Sequence, residues 1–155
     1  EYIGRLVAKA LAGSEFHVTL QGGRLFCLTS LDDEREAFQT RPDILIKRGN
    51  QVVHVIDTKW KRIFARIDDP KQGVSQADVY QMMAYAHLYE AQRLTLLYPH
   101  HAALGDEEGI RAQFRVTGQE TVLRTASFDI SNGRDLVGRI RKQILLDCKL
   151  ELQSS

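Results

Sequence analysis

Residues 51–62 read QVVHVIDTKWKR, and the fold turns on how this stretch is placed. Val52, Val53, Val55 and Ile56 are β-branched, so its first half is strand-forming and suited to a core. Asp57, Thr58 and Lys59 follow, with Lys61 and Arg62 behind them. Side chains alternate along a strand. Alternation places Asp57 and Lys59 on one face with Val53 and Val55, and Val52, His54, Ile56 and Thr58 on the other. An acid and an amine sharing a face are either a surface ion pair or the working end of a site.

The preceding segment bears on that choice. Pro42–Lys47 (PDILIK) is also strand-like, and Arg48, Gly49 and Asn50 join the two into a hairpin. A two-residue turn at Gly49-Asn50 would pair Lys47 with Val52 and Asp43 with Ile56, leaving Asp43 and Asp57 on opposite faces. A three-residue loop pairs Asp43 with Val55 and brings both acids to one face. An active-site reading therefore requires the odd loop, or a bulge that restores its parity.

In that register the two carboxylates lie about 5–8 Å apart, bridging distance for a divalent cation. With the main-chain carbonyl of Thr58 they offer an open, all-oxygen site suited to Mg²⁺ or Mn²⁺, whose water can attack phosphorus. Lys59 is placed to orient that water or to offset charge developing on phosphoryl oxygens. Lys61, Arg62 and Arg66 supply positive partners for a nucleic-acid backbone.

Working outward, Ile3, Leu6, Val7, Ala10 and Leu11 fall at helical spacing ahead of Gly13, so residues 1–12 predict an amphipathic helix. Glu15–Leu20 and Arg24–Thr29, separated by Gly22-Gly23, predict a hairpin, and Asp32–Glu36 an acidic solvated loop. Ser75-x-x-Asp78 has the form of a capping box, and Val79, Met82, Met83 and Ala86 form an apolar stripe, predicting a helix over 76–90 after a mobile connection from Arg62 to Val74. Leu94–Tyr98, Gln113–Thr117 and Thr121–Phe128 read as strands, and Asn132-x-x-Asp135 opens a last helix carrying Leu136, Val137, Ile140 and Ile144. Strand, helix, strand at this spacing implies a crossover onto a mixed sheet, an α/β (α+β) domain occupying residues 1–155.

Composition narrows the function classes. The hydrophobic fraction of 43% and charged fraction of 26% suit a globular domain, and no apolar run is long enough to span a bilayer. A net charge of +1 excludes gripping nucleic acid by bulk charge, so any such contact must be local. Cys27 and Cys148 lack metal-ligand spacing and read as buried thiols of a cytoplasmic protein. His100 and His101 read as surface residues or nucleic-acid contacts, Met82 and Met83 as core, and Trp60 as packed under a helix. No GxxxxGK[ST] motif occurs, so nucleotide binding would lie on another chain. The start at Glu1, already within a helix-like stretch, reads as a C-terminal fragment of a longer protein.

Pro42-Asp43, then Asp57-Thr58-Lys59, then Gln81-x-x-x-Tyr85 resemble, in order, the motifs of the PD-(D/E)xK nuclease superfamily, with a helix motif similar to that of RecB-type members. The blocks RPDILI (41–46), VIDTKWK (55–61), SQADVYQMMAYA (75–86) and LLYP (96–99) are similar to the McrC-type nuclease domains of modified-cytosine restriction systems. The resemblance implies a restriction-endonuclease-like core, a mixed central sheet flanked by helices. It implies that Asp43 and Asp57 bind metal, that Lys59 assists catalysis, and that Glu1 stands where many members carry a further glutamate. Gln81 and Tyr85 would contact the metal-bound water, the substrate or the lysine. The implied substrate is DNA, and the implied partner is a McrB-type AAA+ GTPase reached through a region N-terminal to this chain. Whether two such domains meet to cut both strands is left open. Competing readings are a RecB-like repair or recombination nuclease and a non-catalytic DNA-binding or assembly module.

Overall fold

A computed structural model describes residues 1–64 and 68–149, with side chains described as far as Ile144. The chain runs α1 (Tyr2–Leu11), β1 (Phe16–Leu20), β2 (Phe26–Thr29), β3 (Glu36–Gln39), β4 (Ile44–Arg48), β5 (Gln51–Thr58), α2 (Gln76–Tyr89), β6 (Arg93–Pro99), β7 (Gly109–Arg115), β8 (Val122–Phe128) and α3 (Leu136–Lys149), with a 3₁₀ turn at Ala102–Leu104. Six strands form one sheet in the order β1-β4-β5-β6-β8-β7. β1, β4 and β5 are antiparallel, β5, β6 and β8 are parallel, and β7 returns antiparallel at the edge. This is the expected mixed sheet, with α2 as the crossover between β5 and β6.

Strand β4 shows why the sheet is buried on both faces. Ile44 and Ile46 enter a core under α1 and α3 with Val7, Leu11, Ile56, Phe128 and Ile140, while Leu45 enters a second core under α2 with Val55, Met82, Tyr85, Leu94 and Leu96. A continuous apolar run is what a strand covered on both sides requires. Helix α2 starts where Ser75 Oγ accepts from the Asp78 N–H at 3.4 Å and stops at Glu90, whose φ of 51° is left-handed. Among the described residues no helix is long and apolar enough to cross a membrane.

The β4–β5 hairpin closes through the two-residue turn Gly49-Asn50, with Arg48 paired to Gln51 and Lys47 to Val52. The ladder then slips by one residue, so Ile46 pairs with His54, Leu45 with Val55 and Ile44 with Ile56. Val53 is the extra residue of a β-bulge. It packs in the α1/α3 core while Val52 packs toward α2, the reverse of simple alternation. From Val55 onward the expected faces hold.

Several expectations fail for identifiable reasons. β1 pairs with β4 rather than with β2, and β2 pairs with β3 in a separate two-stranded ribbon. Phe26 and Leu28 share a face of β2, yet no residue of this strand is fully buried and Leu28 is 57% exposed, so the ribbon stands apart from the sheet. Gln21 and Arg24 (φ 46° each) and Gly23 (φ 83°) turn the chain away, and Gly23 lies close against the Tyr89 ring. The acidic loop ends at Arg35, because Glu36 opens β3.

Trp60 lies past the end of β5 and is 62% exposed rather than packed under a helix. Cys27 is exposed on the ribbon, not buried, and the side chain of Cys148 lies outside the described residues, as does Arg66. The described parts of the 62–74 connection are anchored: Ile63 and Val74 are buried under α2, and Asp69 accepts from the amides of Lys71 and Gly73. The last helix begins after Asp135, whose carboxylate accepts from the Gly138 N–H at 3.1 Å, while Asn132 accepts from Arg134 in the turn before it.

Candidate active site

One further step in the register that pairs Ile44 with Ile56 sets Asp43 against Asp57. The bulge has supplied the parity that the two-residue turn denied. Asp43 is aimed by its neighbour on the other strand: its Oδ2 accepts from the Thr58 N–H at 2.9 Å and from Thr58 Oγ at 2.6 Å. Its own carbonyl accepts from the Gln21 N–H at 2.8 Å, which fixes the entry to β4.

Asp57 is 4% exposed at the end of β5. The Lys59 N–H donates to the Leu97 carbonyl at 2.8 Å, extending the parallel ladder one residue beyond the strand and fixing the base of the lysine side chain. Lys59 Nζ then lies 2.6 Å from Asp57 Oδ2 and 3.4 Å from Asp78 Oδ1, and donates to Gln81 Oε1 at 2.9 Å. Gln81 Nε2 donates in turn to the Tyr85 hydroxyl at 2.8 Å. Gln81 and Tyr85 are one helical turn apart, and Asp78 precedes Gln81 on the same face, so α2 presents all three to the strand ends.

Burial drives the electrostatics of this cluster. It raises the Asp57 carboxyl above the usual range, Lys59 opposes that shift, and the charges of Asp43 and Asp78 reinforce it. Burial pulls Lys59 down, but the hydrogen bond and charge of Asp57, with Asp78 behind it, outweigh burial and leave the ammonium form favoured. The Tyr85 hydroxyl is pushed up to about 12 by burial and then by the Asp57 charge. Tyr85 therefore stays a neutral hydrogen-bonding group.

The donor set fits a hard divalent cation. Asp57 has Asp43 and Asp78 as neighbouring acids, three carboxylates against the two ammonium groups of Lys59 and Lys61, so the cluster can accept further positive charge. The hydrogen bonds and ion pair above engage Oδ2 of Asp43 and Oδ2 of Asp57, leaving Oδ1 of each outside these contacts. Among the described residues no group of three or more His, Cys, Asp or Glu side chains is placed to hold a metal. Two carboxylates alone suit Mg²⁺ or Mn²⁺, which retain waters, better than a closed zinc site.

Glu1 lines an opening of about 250 Å³ together with Gly4, Leu20, Gln21, Asp43, Ile44 and Thr58. It reaches the neighbourhood of Asp43, but its carboxylate pairs with Arg5 at 2.5 Å. Thr58, expected to contribute a carbonyl, acts on Asp43 through its N–H and hydroxyl. Arg62 is exposed beyond the strand end. His100 bridges Ser127 Oγ (3.0 Å) and the Gly105 carbonyl (3.1 Å), and His101 contacts the Ile63 carbonyl at 3.0 Å, so both tie loops together.

Asp78 is the residue that sequence reasoning undervalued. A capping role accounted for it in the sequence, yet the cap is the Ser75 hydroxyl bonded to the Asp78 N–H. Its carboxylate is free to lie between Lys59 on Oδ1 and Lys61 on Oδ2. The signal is the i, i+3 spacing of Asp78 and Gln81 together with the two lysines, Lys59 and Lys61, that follow the end of β5.

Residues 1–99 match the family described as McrBC 5-methylcytosine restriction system component. Among solved structures, the chain has the fold of a chain in the half-complex from a tetradecameric assembly of Thermococcus gammatolerans McrB AAA+ hexamers with bound McrC, at a TM-score of 0.58 and 15% identity. That similarity covers 92% of this chain but 31% of the other, so this chain spans about a third of its length. No curated protein matches. With the family matched over more than half of its residues, a span that includes β4, β5, α2 and β6 and the residues Asp43, Asp57, Lys59 and Asp78, the chain belongs to the McrBC 5-methylcytosine restriction system component family.

Proposed function

We propose that this chain is a McrC-type nuclease that hydrolyses DNA phosphodiester bonds with a divalent cation, Mg²⁺ or Mn²⁺, in a restriction system driven by a McrB-type AAA+ GTPase. The observation that carries the proposal is the convergence of Asp43 and Asp57 on one face, with Lys59 held between Asp57 and Gln81. The solved assembly of McrB hexamers with McrC supports the choice of partner.

Asp43 and Asp57 would hold the cation, and the bonds from Thr58 keep the Asp43 carboxylate turned toward it. A bound cation supplies positive charge for the phosphoryl oxygens and acidifies a water as nucleophile. Lys59 stands where its ammonium stabilises charge building on the phosphate in the transition state. Gln81, backed by Tyr85, gives the lysine a further anchor beside Asp57. Lys61 and Arg62 extend the positive surface along which a DNA backbone would lie.

The test is nicking of supercoiled DNA by the full protein with its partner GTPase, comparing the parent with Asp57→Ala and Lys59→Ala. Both variants, with parental circular dichroism, should lose metal-dependent cutting. Cutting at the parental rate by both would overturn the assignment.

A further inference from the structure

The two oxygens of Asp78 are divided between two lysines. Oδ1 lies 3.4 Å from Lys59 Nζ, and Oδ2 pairs with Lys61 Nζ. The Asp78 and Lys59 side chains are only 12% and 16% exposed, so water screens their interaction little, whereas Lys61 is 51% exposed. Lys59 thus has two carboxylates within reach, Asp57 at 2.6 Å and Asp78 at 3.4 Å, with Gln81 Oε1 as a fixed third point at 2.9 Å.

From this geometry we infer that Asp78 is a positioning residue, the second seat that receives Lys59 when a divalent cation takes the Asp57 carboxylate. The inference rests on Asp43 and Asp57 being the cation ligands. An ammonium 2.6 Å from Asp57 and a divalent cation on the same carboxylate repel each other in a poorly screened site. Without an alternative anion, Lys59 competes with the cation for Asp57. With Asp78 present, a small rotation about the end of the lysine side chain moves Nζ from one carboxylate to the other while Gln81 stays bonded. The ammonium stays beside the reacting phosphate instead of swinging into solvent. Lys61 tunes the seat, because its charge on Oδ2 weakens the hold of Asp78 on Lys59.

The experiment is calorimetric titration of the protein with Mn²⁺ in the absence of DNA, so that binding is read apart from cutting. Asp78→Asn should weaken Mn²⁺ binding by roughly five- to tenfold, because Lys59 then has only Asp57 to pair with. In a Lys59→Met background the same Asp78→Asn change should have little effect. A long-range charge effect would persist there, so equal weakening in both backgrounds overturns the inference, as does parental affinity in Asp78→Asn itself. Lys61→Met leaves Asp78 in place and guards against a misfolded Asp78 variant. It should tighten Mn²⁺ binding only while Lys59 is present, and unchanged affinity would overturn the inference. Asp57→Asn separates the two levels. If it binds Mn²⁺ like the parent, the cation-site reading falls and the inference with it. If it abolishes binding while Asp78→Asn has no effect, only the role of Asp78 falls.

Discussion

Asp43 comes to face Asp57 because β5 carries one residue more than β4 between the turn and the site. Without Val53 as a bulge, the Gly49-Asn50 turn would pair Asp43 with Ile56 and point the two acids to opposite faces of the sheet. The bulge costs a local break in the ladder and sends Val52 and Val53 to unexpected cores. In return it assembles two carboxylates and a lysine at the ends of two buried strands.

Thr58 bears on Asp43 through two bonds, only one of which a side-chain change removes. Thr58→Val should weaken Mn²⁺ binding by about tenfold, the usual scale for losing a group that orients a metal ligand. Thr58→Ser, which keeps the hydroxyl, should bind like the parent. Calorimetric titration of the two variants checks the pair.

Tyr85 receives the Gln81 amide, and Gln81 receives Lys59. Tyr85→Phe removes that acceptor from a buried position and should cost about 1 kcal/mol in urea unfolding. Cleavage should fall by several-fold, because Gln81 no longer fixes Lys59. A drop in stability with unchanged cleavage would separate Tyr85 from the site.

His54 is buried beneath α3, with Nε2 2.8 Å from Thr95 Oγ. Burial, aided by the charges of Arg93 and Arg124, lowers its pKa from 6.5 to about 3. The unfolded chain therefore binds a proton between these values that the folded protein refuses. The stability contribution is complete above about pH 6.5 and is lost as pH falls toward 3. Urea midpoints measured across this window should rise with pH for the parent and rise less steeply for His54→Gln.

Gly23 and Gly49 both have positive φ, 83° and 58°, but differ in surroundings. A Cβ on Gly23 would stand 2.4 Å from the Tyr89 ring, whereas one on Gly49 meets nothing within 4 Å. Gly49→Ala should cost about 1–2 kcal/mol, the strain of a left-handed alanine. Gly23→Ala should cost more by at least about 1 kcal/mol, because the ring that also bonds Thr40 and the Leu25 N–H must shift. Urea unfolding of both variants gives the difference, and hydrogen exchange over residues 24–40 should rise only in Gly23→Ala.

The sheet, the crossover helix and the leading helix were legible in the sequence because each carries a strong local pattern: PDILIK, VVHVI, the capped stripe of α2 and the spaced apolar residues of α1. Gly22-Gly23 resembles a hairpin turn and so points to a β1–β2 pairing, whereas the left-handed residues Gln21, Gly23 and Arg24 carry β2 away from β1. Trp60 departs from its expected place under a helix because β5 stops at Thr58, so strand alternation no longer governs where its ring lies. The parity condition on Asp43 and Asp57 could be stated from sequence, but the bulge that meets it could not be located, since Val52 and Val53 are equally apolar and suit either core. Asp78 was visible as a residue but not as a partner of two lysines, which requires knowing which face of α2 meets the end of β5.

The most direct test of the cation site is a crystal soaked in Mn²⁺ and measured for anomalous scattering. If Asp43 and Asp57 hold the cation, a peak stands between their carboxylates at about 2.0–2.3 Å from an oxygen of each, with Lys59 Nζ moved away from Asp57. A well-occupied Mn²⁺ elsewhere, or none at the two aspartates at saturating concentration with Lys59 still on Asp57, would contradict it.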